Sequence, residues 1–328
     1  MQSNSLLMLY VCYSINDYFV REAGISLIGF FENNPDYEPE EVFFLDYGIY
    51  PENKQRLSDI AARYGRRITF IDAKAVTDEV KRSFPKLKGW RGSMAPNAKA
   101  FVDMIIPDYV ERLLFIDADT VVTGSVAPLG SLDMCGAALG AVVSLWLSMD
   151  ILKGKLTLIN GNRKYFNSGV LLYDLATWRR EHCHEMIITT LGKEIDLTFP
   201  DQNLLNNAIP EQLIRWLPPK YNYRSHSLPP EKERELVRLG SYFTDEEIEE
   251  SIQSPVIIHY MAGWPSGRPW HEQCTSSRKD DYLRYKALSP WKHIPLLPYV
   301  KLKKTEAEAV SEILKDYSNI NFDDSATA

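Results

Sequence analysis

The sequence predicts an α/β fold, a mostly parallel sheet flanked by helices, with a small helical appendage at the C-terminal end. Two observations carry this. Up to Asp72, strand-length apolar runs alternate with longer segments at helical spacing, the signature of βαβ units with right-handed crossovers. A further apolar run, Leu113 to Ile116, then breaks into Asp117-Ala118-Asp119, and open α/β sheets bind ligands beyond the carboxyl ends of their strands.

Taken in order, Leu6 to Tyr13 reads as the first strand. Ala23 to Phe31 places Ile25, Leu27, Ile28, Phe30 and Phe31 in a helical pattern that Asn33-Asn34-Pro35 closes. Val42 to Asp46 is a second strand. Pro51 suits the first position of a helix, where its missing N–H does no harm, and Gly65 stops that helix. Ile68 to Asp72 is a third strand. Asp78 to Arg91 is mixed and reads as a mobile connection. Helical spacing resumes over Ala98 to Ile106 and leads into the Leu113–Ile116 strand, while Ala137 to Leu147 reads as one more buried strand. Asn167-Ser168-Gly169 reads as a turn entering the apolar run Val170 to Tyr173, after which a helix begins near Ala176. Phe199 to Asn206 looks like a helix start and Val256 to Tyr260 like a final short strand. Asp245 to Glu250 is an acidic helix start, and the tail from Lys301 holds one short amphipathic helix before a fraying end.

Composition narrows the function classes. The chain has 328 residues, 45% hydrophobic and 25% charged, ordinary for a soluble globular protein of one large domain with an appendage or of two small ones. A net charge of -7 suggests neither a nucleic-acid surface nor a polybasic membrane patch. The four cysteines form no C-x-x-C pair, and with no secretory signal they read as reduced thiols of a cytoplasmic protein. Neither the N-terminal run nor Ala137 to Leu147 is long enough to span a bilayer, although docking on a membrane surface remains open.

Asp117 and Asp119 are costly at the end of a buried strand unless a cation sits between them, and a hard divalent ion shared with nucleotide phosphates is the simplest remedy. A turn with solvated acids is the alternative. No G-x-G-x-x-G or P-loop occurs, so phosphates must be held by metal and side chains. Asn167, Ser168 and Gly169 can present polar groups to a sugar, or form a turn with no ligand. Asp201 can cap its helix, but Gln202 and Asn203 make a polar cluster richer than a cap needs. His259 ends a strand, where a histidine is commonly structural. Its company, Gly263, Gly267, Arg268, Trp264 and Trp270, raises its standing, and Arg268 can reach a diphosphate as a planar, permanently charged fork. His182-Cys183-His184 lies in a predicted helix, where i and i+2 share no face, and reads as surface.

Together, Y-S-I-N-D-Y, F-F-E-N-N, L-L-F-I-D-A-D-T-V-V, Y-F-N-S-G-V-L-L-Y-D-L, D-Q-N-L-L-N and I-I-H-Y-M-A-G-W-P-S-G-R-P-W resemble glycosyltransferase family 8. The resemblance implies a GT-A fold and hexose transfer, with retention, from UDP-galactose or UDP-glucose to a glycan or lipid-linked saccharide. It implies a catalytic domain over 1–265 and a loop and helical extension over 266–328. By the same resemblance Asp117, Asp119 and His259 ligate Mn2+ or Mg2+. Asn16, Tyr18, Asp117, Ala118, Gly263 and Arg268 bind the donor, and Asn167, Asp201 and Gln202 stand at the transferred sugar. Gln202 is a stabiliser or a weak nucleophile through its amide oxygen. No nucleic-acid partner is implied, and the inner face of the cell membrane fits a lipid-linked acceptor.

Three departures stand out. Ser14 or Ile15 occupies the place of a usual Asp. Asp103 aligns with a usual Arg, for which Lys99 is a candidate substitute, and the loop from His259 to Arg268 is long. Two rivals follow. F-I-D-A-D-T-V-V also imitates the motif of haloacid-dehalogenase-like phosphatases, and the departures feed a non-catalytic sugar-nucleotide-binding relative.

Overall fold

The computed structural model describes residues 8–90, 92–224, 234, 238, 242–261 and 268–298. The expected βαβ series is present as β1 (Leu9–Ile15), α1 (Val20–Asn33), β2 (Glu41–Asp46), α2 (Pro51–Arg63) and β3 (Arg67–Asp72), with the three strands paired in parallel. Pro51 opens α2, and Gly65 reverses the chain beyond it at φ +66, a conformation that suits glycine.

β4 (Arg112–Ile116) joins β1 in parallel and is buried along its whole length. On its other side runs β7 (Phe166–Asp174), antiparallel both to β4 and to β6 (Leu139–Val143). β8 (Ile214–Trp216) closes that edge in parallel with β6. The sheet order is β3-β2-β1-β4-β7-β6-β8. Alternation along the strands divides the core: Leu114, Ile116, Val42 and Phe44 pack with α1 and α2, whereas Leu113, Phe115, Phe43 and Leu45 pack with Ile187, Leu191, Leu204 and Leu205. This is the three-layer arrangement that a parallel sheet with apolar residues on both faces requires.

A second, three-stranded sheet positions the site. β5 (Thr120–Val122) starts directly after Asp119 and pairs antiparallel with β10 (Ile257–His259), which pairs in parallel with β9 (Tyr223–Arg224). The described C-terminal segment packs on α1: Tyr282 and Tyr285 of the Lys279–Leu288 helix join the first core cluster, and Tyr285 Oη accepts from Asn33 at 2.7 Å. The predicted tail helix beyond Lys301 lies outside the described residues.

Several local expectations are corrected. A helix, α3 (Lys74–Ser83), replaces the connection expected from Asp78, because Thr77 and Val80 are buried beneath an outer face whose charges hide the stripe. Ala137 to Leu147 is not one strand; β6 ends at Val143 and a helix spans Leu145–Leu152. Its Ser148 hydroxyl holds the Tyr165 backbone at both N–H and C=O, a long-range bond that an apolar run does not announce. Ala95–Phe101 is 3-10, with only Val102–Ile105 in α conformation.

His182-Cys183-His184 is surface only at its first residue, the exposed His182. Cys183 is fully buried, and His184 faces Asp103 at 3.7 Å. Asp103 is thus engaged with His184. It raises the His184 pKa, with burial working against it. Because the folded-state pKa is the higher one, this pair's stabilisation is complete below about pH 6.5 and is lost as pH rises through the folded value. Melting temperature should thus fall more steeply between about pH 6 and 8 in the native chain than in His184→Asn. Superimposable pH profiles contradict the assignment.

Candidate active site and metal centre

Three segments far apart in sequence meet at the carboxyl end of β4. Asp117 leaves the strand with its N–H donating to Gly169 O of β7 at 2.8 Å. Asp119 stands just before β5, and the register that sets Thr120 opposite His259 brings the histidine beside it. Tyr260 N–H, donating to Asp119 O at 2.8 Å, fixes that approach. His259 Nε2 lies 3.2 Å from Asp119 Oδ1, and one ligand atom from each of Asp117, Asp119 and His259 falls within 4.8 Å of the others. Carboxylate oxygens with one imidazole suit Mn2+ or Mg2+.

Burial pushes the Asp117 carboxyl up to about 6, with Lys99 pulling against it and Asp119 adding to it. For Asp119 burial again works upward, but His259, Arg268 and Lys99 outweigh it and hold its carboxyl below the ordinary value. Arg268 Nη2 is 3.7 Å from Asp119 Oδ2, and its guanidinium lies over the Trp270 ring at 5.2 Å.

Lys99, the candidate substitute for the usual Arg, lies beside the acidic pair. Only 1% exposed, it bridges Asp117 Oδ1 at 2.7 Å and Asp201 Oδ2 at 3.2 Å. Burial by itself lowers a lysine pKa; here the two carboxylates overcome it and keep the ammonium charged. Asp103 is not in the site. Within the apolar string Ala98-Lys99-Ala100-Phe101, a lone lysine was the available signal for a buried charge.

Asn167, Ser168 and Gly169 do not form a turn before the strand; they belong to β7 itself. There the pairing with β6 slips, Ala141 facing Leu171 and Val142 facing Asn167. That irregularity turns polar groups of a buried strand toward the Pro200–Ala208 helix. Asp201 and Gln202 open this helix, yet neither caps it. Ser168 Oγ donates to Asp201 Oδ2 at 2.8 Å, while Asn167 Nδ2 and Ser168 N donate to Gln202 Oε1 at 2.9 and 3.1 Å. With both lone pairs of that oxygen engaged, the option of Gln202 as an amide-oxygen nucleophile does not fit the structure. Asn222, which no motif marked, donates from Nδ2 to Asn167 Oδ1 at 2.8 Å and approaches His259 Nδ1 through Oδ1 at 2.9 Å.

Of the remaining predicted residues, Asn16 lies beyond β1 with its Oδ1 buried and unbonded, whereas Tyr18 is exposed on the following turn. Ser14 Oγ donates to Ala95 O and Ile15 is buried in the core, so neither replaces an acid. Ala118 is buried between the two acids. Gly263 and Gly267 lie outside the described residues. Beside Asn167 and Asn222 opens a largely apolar cleft bordered by Trp146, Arg224, Phe243 and Met261.

Gly169 admits no side chain. A Cβ there would stand 2.1 Å from His259 Cε1 and 2.5 Å from its Nδ1. Gly169→Ala must displace the imidazole or the strand, so we expect Mn2+ affinity to fall by about 10–100-fold, the usual range when support for a metal ligand is lost. Isothermal calorimetry checks it, and unchanged affinity contradicts the packing described.

Glycosyl transferase family 8 matches over residues 10–274. The chain is 23% identical over 292 residues to General stress protein A of Bacillus subtilis, covering 88% of this chain and 96% of that one. It is 28% identical over 302 residues to a lipopolysaccharide 1,2-glucosyltransferase of Escherichia coli, covering 89% and 81%. The structure is similar to the galactosyltransferase LgtC in complex with donor and acceptor sugar analogues, with a TM-score of 0.67, 23% identity, and coverage of 86% and 96%. This likeness is one of fold.

Proposed function

The chain belongs to glycosyl transferase family 8, and from that premise we propose that it moves a hexose, galactose or glucose, from a UDP-sugar to a hydroxyl of a glycan or lipid-linked saccharide, with retention and with the help of Mn2+ or Mg2+. Family membership speaks against the phosphatase, and the transferase names of the relatives do not favour the purely binding alternative. The observation that carries the reading is the convergence of Asp117, Asp119 and His259 at the carboxyl end of the sheet. The names of relatives point the same way, a lipopolysaccharide 1,2-glucosyltransferase and a lipopolysaccharide 1,3-galactosyltransferase among them.

Held by those three side chains, a divalent cation supplies Lewis-acid neutralisation of the diphosphate. Arg268 acts on the same oxygens as a planar, permanently charged fork. Asn16 and Tyr18 receive the nucleobase, and Ala118 lets the donor lie close to the acidic turn. Lys99 balances Asp117 and Asp201, so that Asp201 can orient a sugar hydroxyl as a carboxylate. Gln202 and Asn167 present amide groups beside the anomeric carbon. No side chain of the site is needed as a general base: as the bond from the anomeric carbon to the diphosphate breaks, the acceptor oxygen bonds to that carbon from the same face and its proton passes to the departing diphosphate oxygen. No helix among the described residues is long and apolar enough to cross a membrane. We assign access to lipid-linked acceptors to peripheral docking at the cytoplasmic face.

A screen of UDP-sugar hydrolysis tests this. We expect UDP release from UDP-galactose or UDP-glucose with Mn2+, abolished by EDTA and restored by excess Mn2+. Release from neither sugar, or release indifferent to EDTA, contradicts the proposal.

A further inference from the structure

We propose that Asn222 is a positioning residue that fixes the imidazole of His259, in tautomer and in orientation, through a directed chain of side-chain amides that begins at Gln202. This rests on the metal-dependent reading above, since the ring is being set for a cation.

Side-chain amides can be turned end for end without changing their shape, so the direction of such a chain must come from groups that can only donate. Two backbone N–H groups of β7 provide it. Gly169 N donates to Asn167 at 2.9 Å, which makes that atom Oδ1, and Ser168 N donates to Gln202 at 3.1 Å, which makes that atom Oε1. The other end of Asn167 is then Nδ2, and it lies 2.9 Å from Gln202 Oε1, as donor and acceptor should. Asn222 meets Asn167 Oδ1 at 2.8 Å and must do so through Nδ2. What remains to Asn222 is Oδ1, an acceptor, 2.9 Å from His259 Nδ1. The ring hydrogen is therefore on Nδ1.

It follows that Nε2 is the nitrogen turned to Asp119, 3.2 Å away. A lone pair on Nε2 facing a carboxylate at that distance calls for a proton or a metal ion: without metal the ring can carry a hydrogen on both nitrogens, and with metal Nε2 is the nitrogen free to ligate. The ring cannot swing aside: His259 and Asn222 are buried, and the bare backbone of Gly169 is packed against the imidazole. Partners of this kind on the far nitrogen of a metal-binding histidine set its tautomer and raise its basicity. The chain also joins the residues at the transferred sugar to the metal ligand, and neither end alone shows that connection.

The test uses the full chain with 15N-labelled histidine, free of metal, and three forms: native, Asn222→Asp and Asn222→Leu. Aspartate keeps an acceptor for Nδ1–H but cannot donate to Asn167; leucine removes both bonds. In the native chain, 15N spectra taken as pH is raised until the ring is neutral should show His259 keeping its hydrogen on Nδ1, the Nδ1–H tautomer. Asn222→Asp should keep that signature together with Mn2+ affinity close to native, measured by electron paramagnetic resonance in the presence of UDP. Asn222→Leu should lose the single-tautomer signature and bind Mn2+ about 10–100-fold more weakly. An Nε2–H tautomer in the native chain overturns the proposal, as does a folded Asn222→Leu with native Mn2+ affinity. Should Asn222→Leu not fold, the native tautomer and its retention in Asn222→Asp decide. An Nδ1–H tautomer in a native chain that binds no Mn2+ supports the positioning of the ring and contradicts the metal-dependent reading, so the two fail separately.

Discussion

Replacing Asp119 with Asn is expected to lower turnover of the proposed UDP-hexose donor by about 10²–10³-fold, the loss that follows removal of a main electrostatic element of a transition state. The substitution keeps the shape of the side chain and removes its charge. That charge is the centre of the site: His259 Nε2 stands 3.2 Å from one carboxylate oxygen and Arg268 Nη2 3.7 Å from the other. Asp119 is also the residue from which β5 departs, but it makes its backbone contact to Tyr260 through C=O, which Asn retains. The fold should therefore survive, and circular dichroism and melting temperature serve as the control. Steady-state kinetics with saturating Mn2+ measures the effect. Native turnover in the variant contradicts the assignment of this carboxylate to the cation.

The second large effect is on stability. Lys99→Met should destabilise the folded chain by about 3–5 kcal/mol, the range for breaking a buried ion pair by removing one partner. Lys99 is the cation between Asp117 and Asp201, and both the ammonium and the Asp201 carboxylate are shielded from water, with side-chain exposures of 2% and 10%. Methionine fills the volume and leaves two carboxylates facing each other without compensation. Part of the loss should return when Mn2+ and UDP are added, because a cation on Asp117 restores some of the missing charge. Urea unfolding of both chains with and without Mn2+ and UDP measures this. A loss below about 1 kcal/mol places the bridge among ion pairs of no consequence.

Both predictions draw on residues whose visibility in the sequence differed. Asp117 and Asp119 were legible because two acids ending an unbroken apolar run have no cheap explanation, and His259 because of the company it keeps. The βαβ series was legible for a similar reason: strand and helix periods differ, and caps such as Pro51 and Gly65 mark where one gives way to the other. Lys99 was visible only as a candidate substitute, since its role depends on Asp201 in a distant helix. Asn222 was not visible at all. It lies between two tyrosines in a segment with no period, and its meaning arises from its place just before β9, whose pairing with β10 brings its side chain within reach of His259. Asn167-Ser168-Gly169 misled because those residue types favour turns, whereas here a slipped register lets a strand carry them. Leu145 to Leu147 misled because a short apolar run fits a strand and a buried helix equally well. Where local chemistry was decisive the sequence could be read; where a partner from elsewhere in the chain decided, it could not.

The most direct test is an anomalous-scattering map at the manganese edge from crystals soaked with Mn2+ and UDP. We expect one strong peak within coordination distance of Asp117, Asp119 and His259 Nε2, and no peak there after Asp119→Asn. A native crystal with UDP bound and no manganese among those three side chains contradicts the account.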